Sequence, residues 1–400
     1  MITITNQPKK HNSSKLFYFV TALIYLPLFY SLAVIDAKWY GYVLLALSFG
    51  LLLWVIHHIV WRGWQIPLCY LCAMATAFVS VYTSRPRLDV SLIGQVMSGS
   101  VRFFVNLPVD QDLLTGDAFT QRSVWTLPEG YTSETITLPD STMELLTKDD
   151  STSDYIFLQL HGGAFISGVN DLYRVMAKRF SDLSGGAAVC TLDYRLSPAY
   201  PYPAQQIDTQ DAWQYITETL GYPADHVILT GDSAGGNLVL SHALRLRDAG
   251  EPLPAALIAF SPWADLSNSG ESHITNATSD PTFGILPEQF DGVTPVGVPT
   301  TYIDDLDPTD RYISPSYGDF EGFPPMLLQV AEIEVLRSDS ELIYQNAISH
   351  GVDCTLSIYS GMFHVFQGSL DLLPESRQAW AEVTEFVRGL GRLSNQVQQA

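Results

Sequence analysis

A serine in a glycine-rich segment is the residue best placed to do chemistry in this chain. Ser233 lies within the sequence Gly-Asp-Ser-Ala-Gly-Gly-Asn that starts at Gly231, directly after the apolar residues 227–230 and before a helical pattern. Small residues on both sides of a serine let a strand and a helix approach it closely, and the sharp turn between them strains its backbone. The segment therefore predicts that Ser233 is a nucleophile at the N-terminus of a helix.

Two consecutive glycines follow an earlier apolar stretch, residues 155–160. They are Gly162 and Gly163, within the sequence His-Gly-Gly-Ala-Phe that starts at His161. Successive glycines expose backbone N–H groups, and those of Gly162 and Gly163, with the N–H of Ala234 beyond the nucleophile, can point at the oxyanion of a tetrahedral intermediate. We therefore predict an oxyanion hole built from these three N–H groups.

A base is required because a serine hydroxyl is a weak nucleophile at neutral pH without a positioned imidazole. Nine histidines are available, and His364 lies between the last predicted strand and the final predicted helix, at the carboxyl edge of the sheet. Five others fit less well, because they lie in an apolar stretch, in the glycine loop or on helices: His57, His58, His161, His242 and His350. We predict that His364 is the base.

The third group should be a carboxylate that lies between Ser233 and His364 in the chain. The loop after the predicted strand 326–331 offers three candidates, which are Glu332, Glu334 and Asp339. The residue types alone do not choose among them.

Cysteine content indicates neither a metal site nor a disulfide framework. Cys69 and Cys72 form a Cys-x-x-Cys pair, but they lie among apolar residues, while Cys190 and Cys354 are separate in the polar part. Apolar packing explains the pair better than redox or metal chemistry. The chemistry that we predict for Ser233 and His364 uses no metal and no cofactor.

Short apolar runs alternate with amphipathic stretches after Arg85, which predicts a mostly parallel, doubly wound α/β sheet. The predicted strands are 155–160, 187–193, 226–230, 256–260, 326–331 and 353–359, and the predicted helices are 172–183, 204–220, 234–247, 338–350 and 375–390. The 64 residues between Ser261 and Met326 exceed what a crossover helix needs. They predict an excursion over the edge of the sheet.

These motifs together resemble the hormone-sensitive-lipase-like branch of the α/β-hydrolases, a bacterial branch that is also similar to the arylacetamide deacetylases. The resemblance covers residues 154–390. It includes Asp-Tyr-Arg-Leu-Ser-Pro from Asp193, Ser-Pro-Trp from Ser261 with Asp265, and Gly-Met-x-His-x-Phe from Gly361. It implies an α/β-hydrolase fold and an ester hydrolase that acts through a serine.

The same resemblance selects an acid and implies a cap over the site. The acid of the family stands two residues before a leucine, which here is Leu336, so the resemblance points to Glu334, where most members have aspartate. Glu332 remains the alternative. The cap is expected from residues 87–138 and 267–312.

The first 84 residues form a separate region of membrane-like composition, ahead of a catalytic domain at 85–400. Uncharged runs cover residues 16–35, 39–61 and 63–84, and each is long enough to cross a hydrocarbon core of about 30 Å. We predict three transmembrane helices, with two as the alternative, and hence a multi-pass membrane protein. A cleaved signal peptide is disfavoured because the first run is too long and two more follow.

The distribution of charged residues predicts the orientation of the chain in the membrane and the kinds of partner it can bind. Three lysines precede the first run against one after it, which predicts an inside N-terminus and an extracytoplasmic catalytic domain. Residues 85–400 hold 16 Lys and Arg against 41 Asp and Glu. A surface so acidic repels phosphate backbones and anionic headgroups, so we predict no nucleic-acid binding and a lipid bilayer contact made by apolar insertion.

We therefore expect a membrane-anchored serine carboxylesterase in which His364 accepts the proton of Ser233 and Glu334 orients the imidazolium. The resemblance implies short to medium acyl esters as substrates and an acyl-enzyme intermediate. A deacetylase or amidase acting on N-acyl or O-acetyl groups is the near alternative. A non-catalytic small-molecule receptor on the same scaffold is the alternative of another class, and the presence of His364 argues against it. The sequence names neither the natural substrate nor the oligomeric state.

Overall fold

The chain forms two compact units, Met1–Phe104 and Val105–Ala400, here called the N-terminal and C-terminal units. They come from a computed structural model that describes residues 13–58, 65–106 and 125–397. The boundary lies later in the chain than the predicted one at 84/85. The reason is that a fourth helix packs against the first, since Tyr30 Oη donates to Ser100 Oγ at 3.1 Å.

The described part of the N-terminal unit is helical. Its helices are α1 (Ser13–Val34), α2 (Trp39–His58), α3 (Gln65–Ser84) and α4 (Leu92–Val105). The first three coincide with the three predicted apolar runs, whose helical character is confirmed. Among the described residues, one segment, Trp39–Ile56, is long and apolar enough to cross a membrane by length and composition. A multi-pass arrangement therefore stays a prediction.

An eight-stranded, mostly parallel sheet organises the described part of the C-terminal unit. The strands are β1 (Tyr131–Thr137), β2 (Thr142–Lys148), β3 (Ile156–Leu160), β4 (Ala188–Asp193), β5 (Val227–Asp232), β6 (Ala256–Phe260), β7 (Met326–Ala331) and β8 (Cys354–Tyr359). Their spatial order is β1-β2-β4-β3-β5-β6-β7-β8, and β2 pairs antiparallel with β1 and β4 while the other pairs are parallel. The predicted parallel, doubly wound sheet is confirmed.

The first two strands correct the predicted cap boundary. The sequence predicts that residues 131–137 belong to a cap segment at 87–138. In the structure they form β1, which pairs with β2 at the edge of the sheet. Their sequence, Tyr-Thr-Ser-Glu-Thr-Ile-Thr, is mostly polar and rich in threonine, which suits a strand that is exposed over most of its length. Part of the same predicted segment, 107–124, lies outside the described residues.

Helices cover both faces of the sheet. They are α5 (Asp171–Leu183), α6 (Ala204–Gln214), α7 (Ala234–Ala249), the short α8 (Ser272–Thr275), α9 (Arg337–Ser349) and α10 (Pro374–Val397); a π-helical turn, Tyr215–Thr219, continues α6, and 3₁₀ turns cover Ala224–His226, Pro287–Gln289, Pro315–Tyr317 and Phe366–Leu372. One core lies between the sheet and α6, α7 and α9, and the other between the sheet and α5 and α10. Strands β5 to β8 are consecutive in the sheet, so the loops after them meet at one carboxyl edge.

The predicted excursion is present between β6 and β7. It contains α8 and the 3₁₀ turns Pro287–Gln289 and Pro315–Tyr317, while the rest is turn and coil. Aromatic and ionic contacts tie it to the loop after β3 and to α9. Tyr302 stacks on Phe165 with ring centroids 3.7 Å apart, and His273 forms a buried ion pair of 3.1 Å with Asp339.

Candidate active site

Ser233 lies on a strained turn between β5 and α7. Its φ of 51° and ψ of −118° are unfavourable for a residue with a side chain. The neighbouring chain holds this conformation, because the Ser233 N–H donates to the Phe260 carbonyl at 2.9 Å and the Ser233 carbonyl accepts from Trp263 N–H at 3.0 Å. The serine is therefore presented in one fixed backbone geometry.

The glycines around Ser233 are required by close backbone contacts. A Cβ on Gly231 would lie 2.5 Å from the Gly235 carbonyl oxygen, and a Cβ on Gly236 would lie 2.9 Å from Cα of Pro262. A Cβ on Gly235 would overlap the Leu160 carbonyl oxygen. The small residues thus let α7 start against the ends of two strands.

The loop after β3 turns sharply near the end of β5. Gly163 and Ala164 have φ of 112° and 54°. In the described part of the chain, neither of their N–H groups has a hydrogen-bond partner. The first N–H of a helix, here that of Ala234, also lacks an intrahelical partner. These three N–H groups are available to an oxyanion.

The N–H of Gly162, which the sequence predicts as an oxyanion donor, already has hydrogen-bond partners. Its N–H donates to Tyr173 Oη at 2.9 Å and to Asp232 Oδ1 at 3.3 Å. Tyr173 Oη in turn donates to Asp232 Oδ2 at 3.2 Å. The predicted oxyanion donor Gly162 is therefore engaged inside the protein, where it ties the glycine loop to the end of β5. The N–H of Ala164, the next residue of the loop after Gly163, is not among the donors that the sequence predicts.

Glu334 and His364 form a close pair on the loops after β7 and β8. His364 Nδ1 lies 2.7 Å from Glu334 Oε2, and the carboxylate is buried. Because Nδ1 faces a carboxylate, it carries the proton, and this leaves Nε2 of the neutral ring as an acceptor. The other oxygen, Glu334 Oε1, accepts from Ser261 Oγ at 2.6 Å and from Ala331 N–H at 2.8 Å.

The two other candidate acids have different partners. Glu332 Oε2 accepts from the Gly361 N–H at 3.2 Å. Asp339 is buried and pairs with His273, and its Oδ2 accepts from the Ala264 and Asp265 N–H groups at 2.9 Å each. Of the three carboxylates that the sequence offered, the structure brings Glu334 to the histidine.

The electrostatic environment of His364 favours its charged form. Burial lowers the pKa of the imidazole, but the charge and hydrogen bond of Glu334, with Asp280 and Asp232, raise that pKa above its ordinary value. Burial also raises the pKa of Asp232 to about 6, although His364 acts in the opposite direction.

Comparison with known proteins agrees with this geometry. A family model described as alpha/beta hydrolase fold matches residues 157–368. The chain belongs to this family.

Named relatives and solved structures identify the branch of the α/β-hydrolases to which the chain is similar. The chain is 38% identical to an acetyl-hydrolase of Streptomyces hygroscopicus, over 58% of this chain and 74% of the relative, and 33% identical to an esterase of Acinetobacter venetianus, over 61% and 78%. A crystal structure of an esterase from the bacterial hormone-sensitive lipase family covers 75% of this chain and 98% of its own, with a TM-score of 0.63 and 32% identity. The predicted branch and the predicted class of ester hydrolase are confirmed.

Some residues of this α/β-hydrolase site were not singled out for these contacts from the sequence. Ser261 binds the carboxylate of Glu334, and Tyr173 binds Asp232 and Gly162. The Ser-Pro-Trp motif did mark Ser261 as unusual. Tyr173 carried no signal, since its partner Asp232 is 59 residues away in the chain.

Proposed function

We propose that this chain is a membrane-anchored serine carboxylesterase that hydrolyses short to medium acyl esters through an acyl-enzyme intermediate. The observation that carries the proposal is the 2.7 Å contact between His364 Nδ1 and Glu334 Oε2, at the same sheet edge as the strained Ser233. A buried carboxylate on Nδ1 orients the ring and stabilises the imidazolium that forms when Nε2 accepts a proton.

The reaction uses these groups in two steps. Ser233 Oγ attacks the ester carbonyl carbon while His364 Nε2 takes the hydroxyl proton, and collapse of the tetrahedral intermediate breaks the bond to the alcohol oxygen, which receives that proton. Water then attacks the acyl-enzyme, His364 again accepts the proton, and the bond to Ser233 Oγ breaks to release the acid. Each proton removed from a nucleophile is thus returned to a leaving oxygen.

The oxyanion of each tetrahedral intermediate is stabilised by backbone donors. The N–H groups of Gly163, Ala164 and Ala234 are the candidates, since Gly162 is bonded to Tyr173 and Asp232. Such donors act mainly on the transition state, and losing one costs about 10²- to 10³-fold in rate.

A small acyl group is supported by two relatives. One is named an acetyl-hydrolase, and a structural neighbour at 31% identity and a TM-score of 0.63 was soaked with p-nitrophenyl butyrate. Acetyl and butyryl esters are therefore the first substrates to test. Acetylated amides belong in the same panel, because an acetyl group on nitrogen would reach the same nucleophile.

The hydrolysis is tested by serine-directed labelling together with turnover. We expect a fluorophosphonate to label the full chain once, at Ser233, and we expect turnover of p-nitrophenyl acetate and butyrate. Ser233→Ala should remove both, while Ser349→Ala, which alters an exposed helix-end hydroxyl, should remove neither. Labelling that persists in Ser233→Ala, or a folded wild-type chain that turns over no ester, overturns the proposal.

Membrane attachment is supported by the surface of α2. In the described part of the N-terminal unit, 28% of the segment Trp39–Ile56 is buried, whereas the core helix of a soluble protein is mostly buried. Leu47 and Leu51 are exposed by 65% and 63%. Surface of this kind is suited to lipid tails rather than to water.

Flotation with phospholipid vesicles tests the attachment. We expect the full chain to float, and we expect Leu47→Arg with Leu51→Arg to reduce flotation, because arginine is costly in the hydrocarbon core. Leu372 in the C-terminal unit is 69% exposed, so Leu372→Arg is the matched control and should float like wild type. Equal flotation of the paired variant and the control contradicts attachment through α2.

A further inference from the structure

A turn of the excursion reaches the loop that carries the triad acid. This turn, residues 276–283, is here called the clamp. At its start, Asn276 Nδ2 donates to the carbonyl oxygens of Glu332 and Glu334, at 2.9 and 2.7 Å. The Asn276 side chain therefore fixes two peptide groups of the loop after β7, here called the acid loop.

Asp280 makes the second link from the clamp to the acid loop. Its side chain is 2% exposed, and its Oδ2 accepts from the Val335 N–H at 2.8 Å. Its Oδ1 accepts from the N–H groups of Thr282 and Phe283, at 2.7 and 3.1 Å. A buried carboxylate needs such donors. Here two of them shape its own turn, and the third belongs to the residue after Glu334.

Phe283 carries the clamp to the base. Its ring lies edge-on against the imidazole of His364, with centroids 4.7 Å apart and planes at 61°. The turn is tight at this point, since a Cβ on Gly284 would overlap the Asp280 carbonyl oxygen. Rotation of the imidazole toward the clamp would therefore meet an aromatic ring that has little room to move.

The clamp also adds charge beside the base. The carboxylates that face His364 come from three elements: Glu334 on the loop after β7, Asp280 in the clamp and Asp232 at the end of β5. Asp280 is near Glu334 as well, and burial followed by the charge of Glu334 raises the pKa of the Asp280 carboxyl. A second carboxylate this close to the acid is not required to orient the imidazole. The position of the Asp280 carboxylate therefore indicates a role other than orienting the imidazole directly.

We propose that Asp280 is a positioning residue for the acid–base pair, which holds the Glu334 loop through the Val335 N–H and holds Phe283 against His364. The inference rests on the proposed function, because it assigns Asp280 to the same reaction. In this role the clamp, which is part of the predicted cap segment 267–312, helps to hold Glu334 and His364 in place. Asp280 touches neither the substrate nor Ser233 in this role and acts through Glu334 and His364.

Asp280→Asn separates this role from ordinary turn formation. The amide keeps one acceptor oxygen for the turn, but its NH₂ group faces the Val335 N–H and cannot accept from it. Asp291→Asn is the matched control, because Asp291 lies in the same excursion and is exposed. Like Asp280, Asp291 accepts from the N–H groups two and three residues further along its own turn, those of Val293 and Thr294.

We expect Asp280→Asn to lower kcat by about tenfold or more, since it breaks a buried hydrogen bond that a charged acceptor makes, and to leave KM near wild type. Removing its negative charge lowers the pKa of His364, so the acid limb of kcat/KM moves to lower pH. The rate of fluorophosphonate labelling at Ser233 should fall in parallel with kcat. Asp291→Asn should change none of these.

Phe283→Leu keeps the hydrogen bonds of the turn and tests the clamp if Asp280→Asn does not fold. We expect kcat to fall about two- to tenfold, the scale of one aromatic contact. Wild-type kcat and labelling rate in Phe283→Leu, or an Asp280→Asn protein that matches Asp291→Asn in kcat and acid limb, overturns the inference. A wild-type chain that hydrolyses no ester and is not labelled instead overturns the proposed function.

Discussion

Ser261 Oγ donates a hydrogen bond of 2.6 Å to Glu334 Oε1, on the carboxylate whose other oxygen binds His364. Ser261 follows β6, has a φ of 45°, and donates its N–H to the Gln329 carbonyl at 2.7 Å. With the Ala331 N–H, the carboxylate has three neighbours that hold its plane. Its orientation is therefore set before a substrate arrives.

Loss of the Ser261 hydroxyl should slow the reaction more than it weakens the fold. We expect Ser261→Ala to lower kcat by about tenfold or more, because a hydrogen bond to a charged group is lost, with KM unchanged. Ser376→Ala is the control, since Ser376 is also buried and donates to the Gln367 carbonyl at 3.1 Å. Steady-state turnover of p-nitrophenyl butyrate distinguishes them, and equal kcat in the two variants contradicts a role for Ser261 in holding the acid.

The identity of the acid is tested by amide replacements. Glu334→Gln should lower kcat by about 10⁴, the cost of losing a triad carboxylate, and Ser233→Ala by about 10⁶. Glu332→Gln should stay within about tenfold, because Glu332 Oε2 accepts from the Gly361 N–H, whereas His364 Nδ1 lies against Glu334. Circular dichroism verifies folding of each variant. Collapse of turnover in Glu332→Gln together with near-normal Glu334→Gln would show that the acid stands two residues earlier.

The sequence predicts the central parallel strands well because they are buried on both faces. The predicted bounds of 256–260 and 326–331 agree with β6 and β7, every residue of which is buried. Continuous apolar runs of this kind are typical of parallel sheets. The antiparallel strands β1, at the edge of the sheet, and β2, beside it, are not predicted from the sequence, because polar residues interrupt the apolar residues of both.

Side-chain direction is what the sequence could not supply. Glu332, Glu334 and Asp339 share one loop and its helix, and the folded path of this loop, with the contacts of Ser261 and the Ala331 N–H, places the Glu334 carboxylate on His364. The Gly162 N–H was assigned to the oxyanion for the same reason, since its acceptor Tyr173 comes from α5.

The contact of Tyr173 with Gly162 and Asp232 should position the glycine loop after β3, which carries the proposed oxyanion donors. Tyr173→Phe removes a buried hydroxyl that accepts from one and donates to the other. We expect kcat to fall about tenfold with KM little affected, because loop placement acts on the tetrahedral intermediate. Tyr131→Phe is the control, as the Tyr131 hydroxyl donates to Asp182 at 2.6 Å away from the site. Equal turnover in both variants would contradict the assignment.

A second histidine–carboxylate pair ties the excursion to α9. His273 Nε2 lies 3.1 Å from Asp339 Oδ1, and its Nδ1 lies 2.7 Å from the Val296 carbonyl, so both ring nitrogens face acceptors. Two acceptors require two N–H donors, which only the imidazolium has. Burial lowers the pKa of His273, but the hydrogen bond and charge of Asp339, with Val296 and Asp265, raise it above its ordinary value.

This pair predicts a pH dependence of stability with a definite sign. Because the folded-state pKa of His273 is raised, its contribution is fully present below the unfolded pKa of about 6.5 and is lost as pH rises through the folded value. We expect His273→Gln to lower Tm more at pH 6 than at pH 9, measured by calorimetry on the full chain. His226→Gln, which alters an exposed histidine beside Asp225, should give a small difference at both pH values. A Tm deficit in His273→Gln that stays constant from pH 6 to pH 9 would mean that the imidazole does not titrate against Asp339.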